Sequence, residues 1–346
     1  MADPKAVVIG YGYAGRSFHS YLIDITPGLT LHGVASRNPQ TRVRIVAERG
    51  CKAYDGFDAV LADPEVDLVV LATPNSTHAD MAVRAMEAGK HVVTDKMMCL
   101  NLEECDRMIA ASTSTGKMLS VFQNRRWDGD FLTVKQLMAD GRLGEIRWIE
   151  LSWQKLGTPE GWRGRSTLGG GRFYDLGAHL VDQLLLLIPR AVRSIYCRLH
   201  YDFCDSDVDS HAMIVLGFEG GVTGVCDMSS MAAISKPRFH VFGADATFIK
   251  YGLDPQEEAM KDGDIDSATE DESRYGRLHD GDRQTLVPTL RGRWRSYYEN
   301  IADVLMRRGE PAVKLAEARR VMAVLDAAMH AARSNQVVDV NIPAST

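Results

Sequence analysis

Residues 10–15 read Gly10-Tyr11-Gly12-Tyr13-Ala14-Gly15, a G-x-G-x-x-G run directly after the apolar stretch Lys5-Ala6-Val7-Val8-Ile9. That spacing suits one chemistry. The first glycine permits a tight turn out of a strand, the second lets backbone approach a pyrophosphate, and the third lets a helix pack close to the strand. The helix N-terminus adds free N–H groups and a partial positive charge. A plain glycine-rich turn is the alternative, and the setting between a buried strand and a helix favours dinucleotide binding. The end of the next strand, Val34-Ala35-Ser36-Arg37-Asn38, bears on which dinucleotide. NAD enzymes place an acid there to accept from the ribose hydroxyls. No acid stands here. Ser36 can donate to a 2′-phosphate, and the planar fork of Arg37 can pair with it. NADP(H) is the expected cofactor, with NAD(H) second; the plain alternative for Arg37 is a surface arginine at a helix start.

The elements that must hold these groups alternate. After the strand at 5–9 and its helix come a strand at Leu31–Ala35 and a helix capped by Asn38, with Pro39 in its first turn, stopping at Gly50. A strand at Val66–Ala72, a helix from Thr77 to Gly89, a strand at His91–Thr94, a helix opened by Asn101 with Glu104, and a strand at Met118–Phe122 complete the series. This rhythm predicts a Rossmann domain over residues 1–123, a doubly wound parallel sheet with right-handed crossovers. Beyond Gln123 strands follow one another with few helices between, at 146–153, 192–202, 211–218, 222–228, 238–242 and 247–251. Helices are expected at 131–139, 294–306 and 315–332, and the acid-rich stretch Glu257–Glu272 is expected to be a solvated loop. Residues 124–346 thus read as an α+β domain with a large, mostly antiparallel open sheet for substrate binding and oligomerisation.

With this order of elements the chain resembles a known family, the glucose–fructose oxidoreductase, inositol dehydrogenase and MocA-type oxidoreductases (Gfo/Idh/MocA). The likeness covers nearly the whole chain. It rests on Gly10–Gly15 followed by His19, on Ala72-Thr73-Pro74-Asn75-Ser76-Thr77-His78, on Ala88-Gly89-Lys90-His91-Val92 leading into Thr94-Asp95-Lys96, and on Gly169-Gly170-Gly171 leading into Asp175-Leu176-Gly177-Ala178-His179. The stretches Asn124-Arg125-Arg126-Trp127-Asp128 and Lys250–Pro255 are similar to the branch with the scyllo-inositol dehydrogenases.

The resemblance implies a catalytic trio of Lys96, Asp175 and His179, and NAD(P)-dependent interconversion of a secondary alcohol and a ketone on a sugar, inositol or related polyol. An imidazole with a pKa near the working pH suits the base at His179. Asp175, at i,i+4 in a helix, shares its face and can hold the ring or a substrate hydroxyl. The Lys96 ammonium can stabilise a developing alkoxide. Thr73, Pro74, Asn75, His78, Asp95, Asn124, Trp162 and Arg163 are implied to line the cofactor, the last two reaching the substrate as well. Taken without the resemblance, Asp175 and His179 are an ordinary helix pair, and Asp182 one turn on would extend them towards a metal site; no His or Cys cluster supplies the remaining ligands, so no metal is expected. One departure stands out: the family's proline after the lysine is Met97. Two other readings share the motifs, a glycoside hydrolase or lyase that oxidises its substrate transiently and a non-catalytic dinucleotide sensor.

Composition sets the limits. The 346 residues carry a net charge of -6, 45% apolar and 25% charged residues, with no basic face for a phosphate backbone, so nucleic acid is excluded as a partner. The N-terminal residues show no secretory h-region, and the longest apolar run, Leu184–Ile188, is too short for a bilayer. Six scattered cysteines with no C-x-x-C pair point to free thiols in the cytoplasm. The open sheet predicts a homodimer or homotetramer.

Overall fold

The computed structural model describes residues 2–344; Met1, Ser345 and Thr346, which the expected domain bounds include, lie outside the described residues. The chain divides into two compact units. The first holds Met1–Gln123 and also Trp294–Arg319; the second holds Asn124–Arg293 and Arg320–Thr346. The segment 294–319, expected in the second domain, therefore returns to the first.

In the first unit, β1 (Lys5–Ile9), β2 (Thr30–Ala35), β3 (Lys52–Tyr54), β4 (Leu68–Leu71), β5 (His91–Thr94) and β6 (Leu119–Val121) form a parallel sheet in the order β3-β2-β1-β4-β5-β6. Ala6, Val7 and Val8 of β1 and all of β4 are fully buried, as strands covered by helices on both faces must be. The order reverses between β1 and β4, so the loops after these two strands open the crevice where such sheets take ligands. The helix Pro39–Arg49 begins as its sequence predicts: Asn38 Oδ1 accepts from Thr41 N at 3.1 Å, and Gly50 ends it with φ +61°. The returning helix Arg295–Leu305 buries Tyr297 and Tyr298 in this unit, with Tyr297 Oη 2.9 Å from Ser120 Oγ.

In the second unit, β7 (Ile146–Gln154), β8 (Val192–His200), β9 (His211–Phe218), β10 (Thr223–Ser229), β11 (Phe239–Gly243), β12 (Thr247–Lys250), β13 (Gly276–Asp280), β14 (Arg283–Val287) and β15 (Val338–Ile342) form one sheet, ordered β14-β13-β12-β11-β7-β10-β9-β8-β15. Its pairs are antiparallel except β7 with β10. The helix Arg172–Leu187 packs on one face: a Cβ on Gly177 would stand 3.4 Å from Met228 of β10 and 3.6 Å from Leu325. The stretch Glu257–Glu272 is not a plain solvated loop. It contains the helix Gln256–Lys261 and a turn at Ile265–Ser267, buries Met260 and Ile265, and places Glu270 2.9 Å from the buried Lys250 ammonium. Two apolar anchors and one buried ion pair outweigh its acidic composition.

Candidate active site

The first unit carries the dinucleotide side. Gly10, at φ +99°, donates its N–H to Ala35 O at 3.0 Å, and a Cβ there would stand 2.5 Å from Ala72 O. A Cβ on Gly15 would run into the Gly10 carbonyl oxygen. These two glycines let β1, the loop and the helix behind it close up. Gly12 differs: a Cβ there would meet nothing within 4 Å. The space beside it is open, as a backbone meant to approach a pyrophosphate requires, so the loop fits the phosphates of a dinucleotide. Tyr11 turns away, donating its hydroxyl to Glu48 Oε2 at 2.9 Å, and Glu48 also pairs with Arg16 at 3.0 Å. Tyr13 is exposed, and its ring meets Phe18 edge-on. Ala14 opens the π-helical turn Ala14–His19.

Past the end of β2, Ser36 donates its N–H to Tyr54 O at 3.0 Å, and its Oγ accepts from Asn38 N. Arg42 donates to the carbonyls of Ser36 and Arg37 at 2.9 and 3.1 Å, which fixes their backbone. The Arg37 side chain is exposed and makes no hydrogen bond or ion pair among the described residues. Its guanidinium is available to an anion.

Thr73, Pro74 and Asn75 follow β4. Thr73 Oγ1 lies 2.7 Å from Thr77 Oγ1, Thr77 donates to Pro74 O at 2.8 Å, and Asn75 is buried in the turn Asn75–Thr77. The His78 ring nitrogens stand 2.8 and 2.9 Å from the carbonyls of Met97 and Thr73. Burial pushes its pKa down while the carbonyls of Met97 and Thr73 work against that shift; His78 is a brace between two loops. Asp95 and Lys96 follow β5. Asp95 Oδ1 accepts from Lys96 N at 2.8 Å, and its other oxygen lies 3.7 Å from the Nε2 of buried His19. Burial works to raise the Asp95 pKa, but His19 and Lys96 together pull it below the usual carboxylate range. His19 is held in turn by Tyr298, whose oxygen is 2.7 Å from its Nδ1. Met97, in the place of the family's proline, is buried, and the Lys96–Met97 peptide is cis.

The second unit carries Asp175 and His179 on the helix Arg172–Leu187. Asp175 lies between two guanidiniums, Arg163 Nε at 3.3 Å and Arg172 Nη1 at 3.4 Å. Arg163 also sits over the Trp162 ring, its Cζ 4.7 Å from the centroid. Asp182 is gripped by Arg126 through two bonds of 2.8 and 2.6 Å, so the carboxylate needed for a metal reading of this helix is already paired. Asn124 is buried at the start of the turn Asn124–Trp127. Gly171, at φ +101°, precedes the helix and has no capping side chain; Asp209, from the β8–β9 connection, accepts from Phe173 N at 2.8 Å instead. Burial pushes Asp209 up to about 6.

Sequence reasoning missed four of these groups. Arg172, Asp209 and Tyr298 carry no motif, and Trp153, whose ring faces His179, lies on a strand far from it in the chain. It also missed His32, Asp63 and Glu65, whose ligand atoms converge within 4.8 Å. Lys52 at 2.6 Å from Asp63 and Lys5 at 2.5 Å from Glu65 already supply cations there.

Residues 5–123 match the oxidoreductase family with the NAD-binding Rossmann fold, and residues 131–249 match the GFO/IDH/MocA C-terminal domain. The chain belongs to the GFO/IDH/MocA oxidoreductase family. It is 35% identical to the uncharacterized oxidoreductase YdgJ of Escherichia coli, covering 96% of this chain and 98% of that one. It is 29% identical to the scyllo-inositol 2-dehydrogenase (NADP(+)) IolW of Bacillus subtilis, covering 96% and 95%. The solved NAD-binding protein of Listeria innocua superposes with a TM-score of 0.86 at 31% identity, covering 97% of each chain. As a member of this family the chain is an NAD(P)-binding oxidoreductase, a dehydrogenase or reductase. Among the described residues no helix is long and apolar enough to cross a membrane.

Proposed function

We propose that this oxidoreductase prefers NADP(H) and interconverts a secondary alcohol and a ketone on a sugar, inositol or related polyol. One observation carries the reading most: the open glycine loop and the Asp95-Lys96 step leave the same carboxyl edge of the sheet. Asp175 and His179, one turn apart on the helix Arg172–Leu187, and the activity named for IolW point the same way.

When bound, the nicotinamide supplies the hydride acceptor. In the oxidative direction an imidazole nitrogen of His179 takes the hydroxyl proton as the hydride leaves the same carbon, which becomes the carbonyl carbon. The Lys96 ammonium stabilises the oxygen while it carries negative charge. Asp175, steadied by Arg163 and Arg172, orients a substrate hydroxyl or the imidazole. In reduction His179 returns the proton. Gly10–Gly15 take the pyrophosphate, Ser36 and Arg37 the 2′-phosphate. Thr73, Pro74, Asn75, His78, Asp95, Asn124, Trp162 and Arg163 shape the rest of the cofactor site.

The protein acts in the cytoplasm, consistent with its six free cysteines. It assembles as a homodimer or homotetramer through the sheet face away from Arg172–Leu187. There Phe242 pairs with Trp148 and Arg277 with Leu286, and Phe242 and Leu286 are exposed, apolar side chains on an open sheet face that a second copy would cover.

The test is absorbance at 340 nm with NADP and, separately, NAD across polyols, sugars and keto-sugars. Net NADP reduction by at least one polyol is expected. No signal with any substrate refutes the dehydrogenase; glycoside turnover without net reduction turns the reading to transient oxidation.

A further inference from the structure

The helix position of His179 fixes its Cα but not the plane of its ring, and a general base must present one nitrogen in one direction. His179 is 5% exposed, and its ring lies against the indole of Trp153 on β7, with centroids 6.1 Å apart and planes 21° from parallel. This is an offset stack. The indole is held in its turn. Arg125 Cζ lies 4.6 Å and Arg238 Cζ 5.8 Å from its centroid. The same two residues grip the catalytic helix one turn past His179: Gln183 donates to Arg125 O at 2.6 Å, and Arg238 donates to the Gln183 side-chain oxygen. Both guanidiniums are buried and anchored by carboxylates, Arg125 by Glu257 at 2.8 Å and Arg238 by Asp130 at 3.5 Å. The result is a closed circuit from the helix to the arginines, from the arginines to the indole, and from the indole back to the imidazole.

We propose that Trp153 is the positioning residue for His179, a flat wall backed by Arg125 and Arg238 that sets the plane of the catalytic imidazole. The inference rests on His179 being the base. Trp153 is only partly buried, so its loss need not unfold the unit. A merely structural tryptophan would lower stability and leave the ring of His179 where it is. A positioning tryptophan changes the ring's freedom and the chemical step.

The experiment uses full-length protein labelled with 13C at histidine Cε1, with the His179 signal assigned by its loss in His179→Gln. Wild type and Trp153→Phe, which keeps a flat ring, are expected to show one sharp His179 signal; Trp153→Leu is expected to broaden or split it. In turnover Trp153→Leu is expected to lower kcat at least tenfold with KM and NADPH affinity within twofold, and Trp153→Phe to recover most of that loss. An unchanged His179 signal in Trp153→Leu overturns the proposal whether or not a substrate is known. A loosened ring in a protein that oxidises no polyol keeps the positioning role and sinks the polyol reading instead.

Discussion

Replacing Gly12 and Gly15 by alanine, one at a time, separates what the loop does for the fold from what it does for the cofactor. A Cβ on Gly15 would stand 3.0 Å from the Gly10 carbonyl carbon, 3.3 Å from Ala72 Cβ and closer still to the Gly10 oxygen. Backbone must shift to admit it, and overpacking of this kind costs roughly 1–3 kcal/mol. For a unit of this size that lowers Tm by about 2–10 °C. A Cβ on Gly12 meets no protein atom within 4 Å, and its φ lies outside the left-handed region. Alanine there leaves the cofactor-free fold within about 1 kcal/mol of wild type, since stiffening the unfolded chain offsets any small loss. The added methyl instead occupies space meant for the pyrophosphate, and an expected loss of at least about 1.4 kcal/mol raises the NADPH Kd about tenfold. Thermal melts without cofactor and a fluorescence titration with NADPH read the two effects apart. Wild-type NADPH and NADH affinity in Gly12→Ala, with an unchanged melt, would refute the reasoning, because the open space beside Gly12 would then not be where the phosphates lie.

Three further outcomes follow from individual residues. Arg37→Ala is expected to weaken NADPH about tenfold, the ~1.4 kcal/mol of one charge-assisted contact, and to leave NADH within twofold; equal losses for both cofactors would remove Arg37 from the 2′-phosphate. Asp209 titrates near 6 in the folded chain against 3.8 for an ordinary aspartate. The folded state therefore holds the proton more tightly, and the associated stability is fully present below about pH 3.8 and lost as pH rises through 6. The two values differ by about 2 pH units, or about 3 kcal/mol, so the stability gap between wild type and Asp209→Asn measured in urea at pH 4.5 and pH 7 should change in that direction; a gap flat with pH contradicts it. Arg126→Met removes the two charge-assisted bonds that the guanidinium gives the buried Asp182 carboxylate and is expected to cost about 3–5 kcal/mol, much of it recovered in Arg126→Met/Asp182→Leu; a single variant as stable as wild type would show that the pair carries no such penalty.

Much of the first unit was legible because buried parallel strands are continuous apolar runs: Val7–Ile9, Leu68–Leu71 and His91–Thr94 need no tertiary information to stand out. The strand β3 escaped because Lys52-Ala53-Tyr54 is a three-residue edge with one buried side chain. The hairpin β13–β14 escaped because its half-exposed strands are built mostly from polar residues. The return of Trp294–Arg319 to the first unit depends on Tyr297 and Tyr298 finding Ser120 and His19, partners nearly 180 and 279 positions away that no local pattern announces. At the site the division is the same. The glycine loop could be read because a strand end dictates its turn locally. The carboxylate at the helix start and the indole against His179 could not, since each contact joins separate segments, and although Arg163 and Arg172 lie twelve and three positions before Asp175, no local pattern announces that they grip it.

The most direct measurement is steady-state turnover of an active polyol with NADP by wild type, Lys96→Met and His179→Asn, alongside NADPH titration of each protein. If these two residues carry the chemistry, kcat/KM falls at least about a hundredfold in both variants, the scale of general acid–base and electrostatic contributions, and NADPH affinity stays within a few-fold. Wild-type turnover in either variant would contradict the assignment of that residue, and wild-type turnover in both would leave a dinucleotide-binding oxidoreductase whose catalytic groups lie elsewhere.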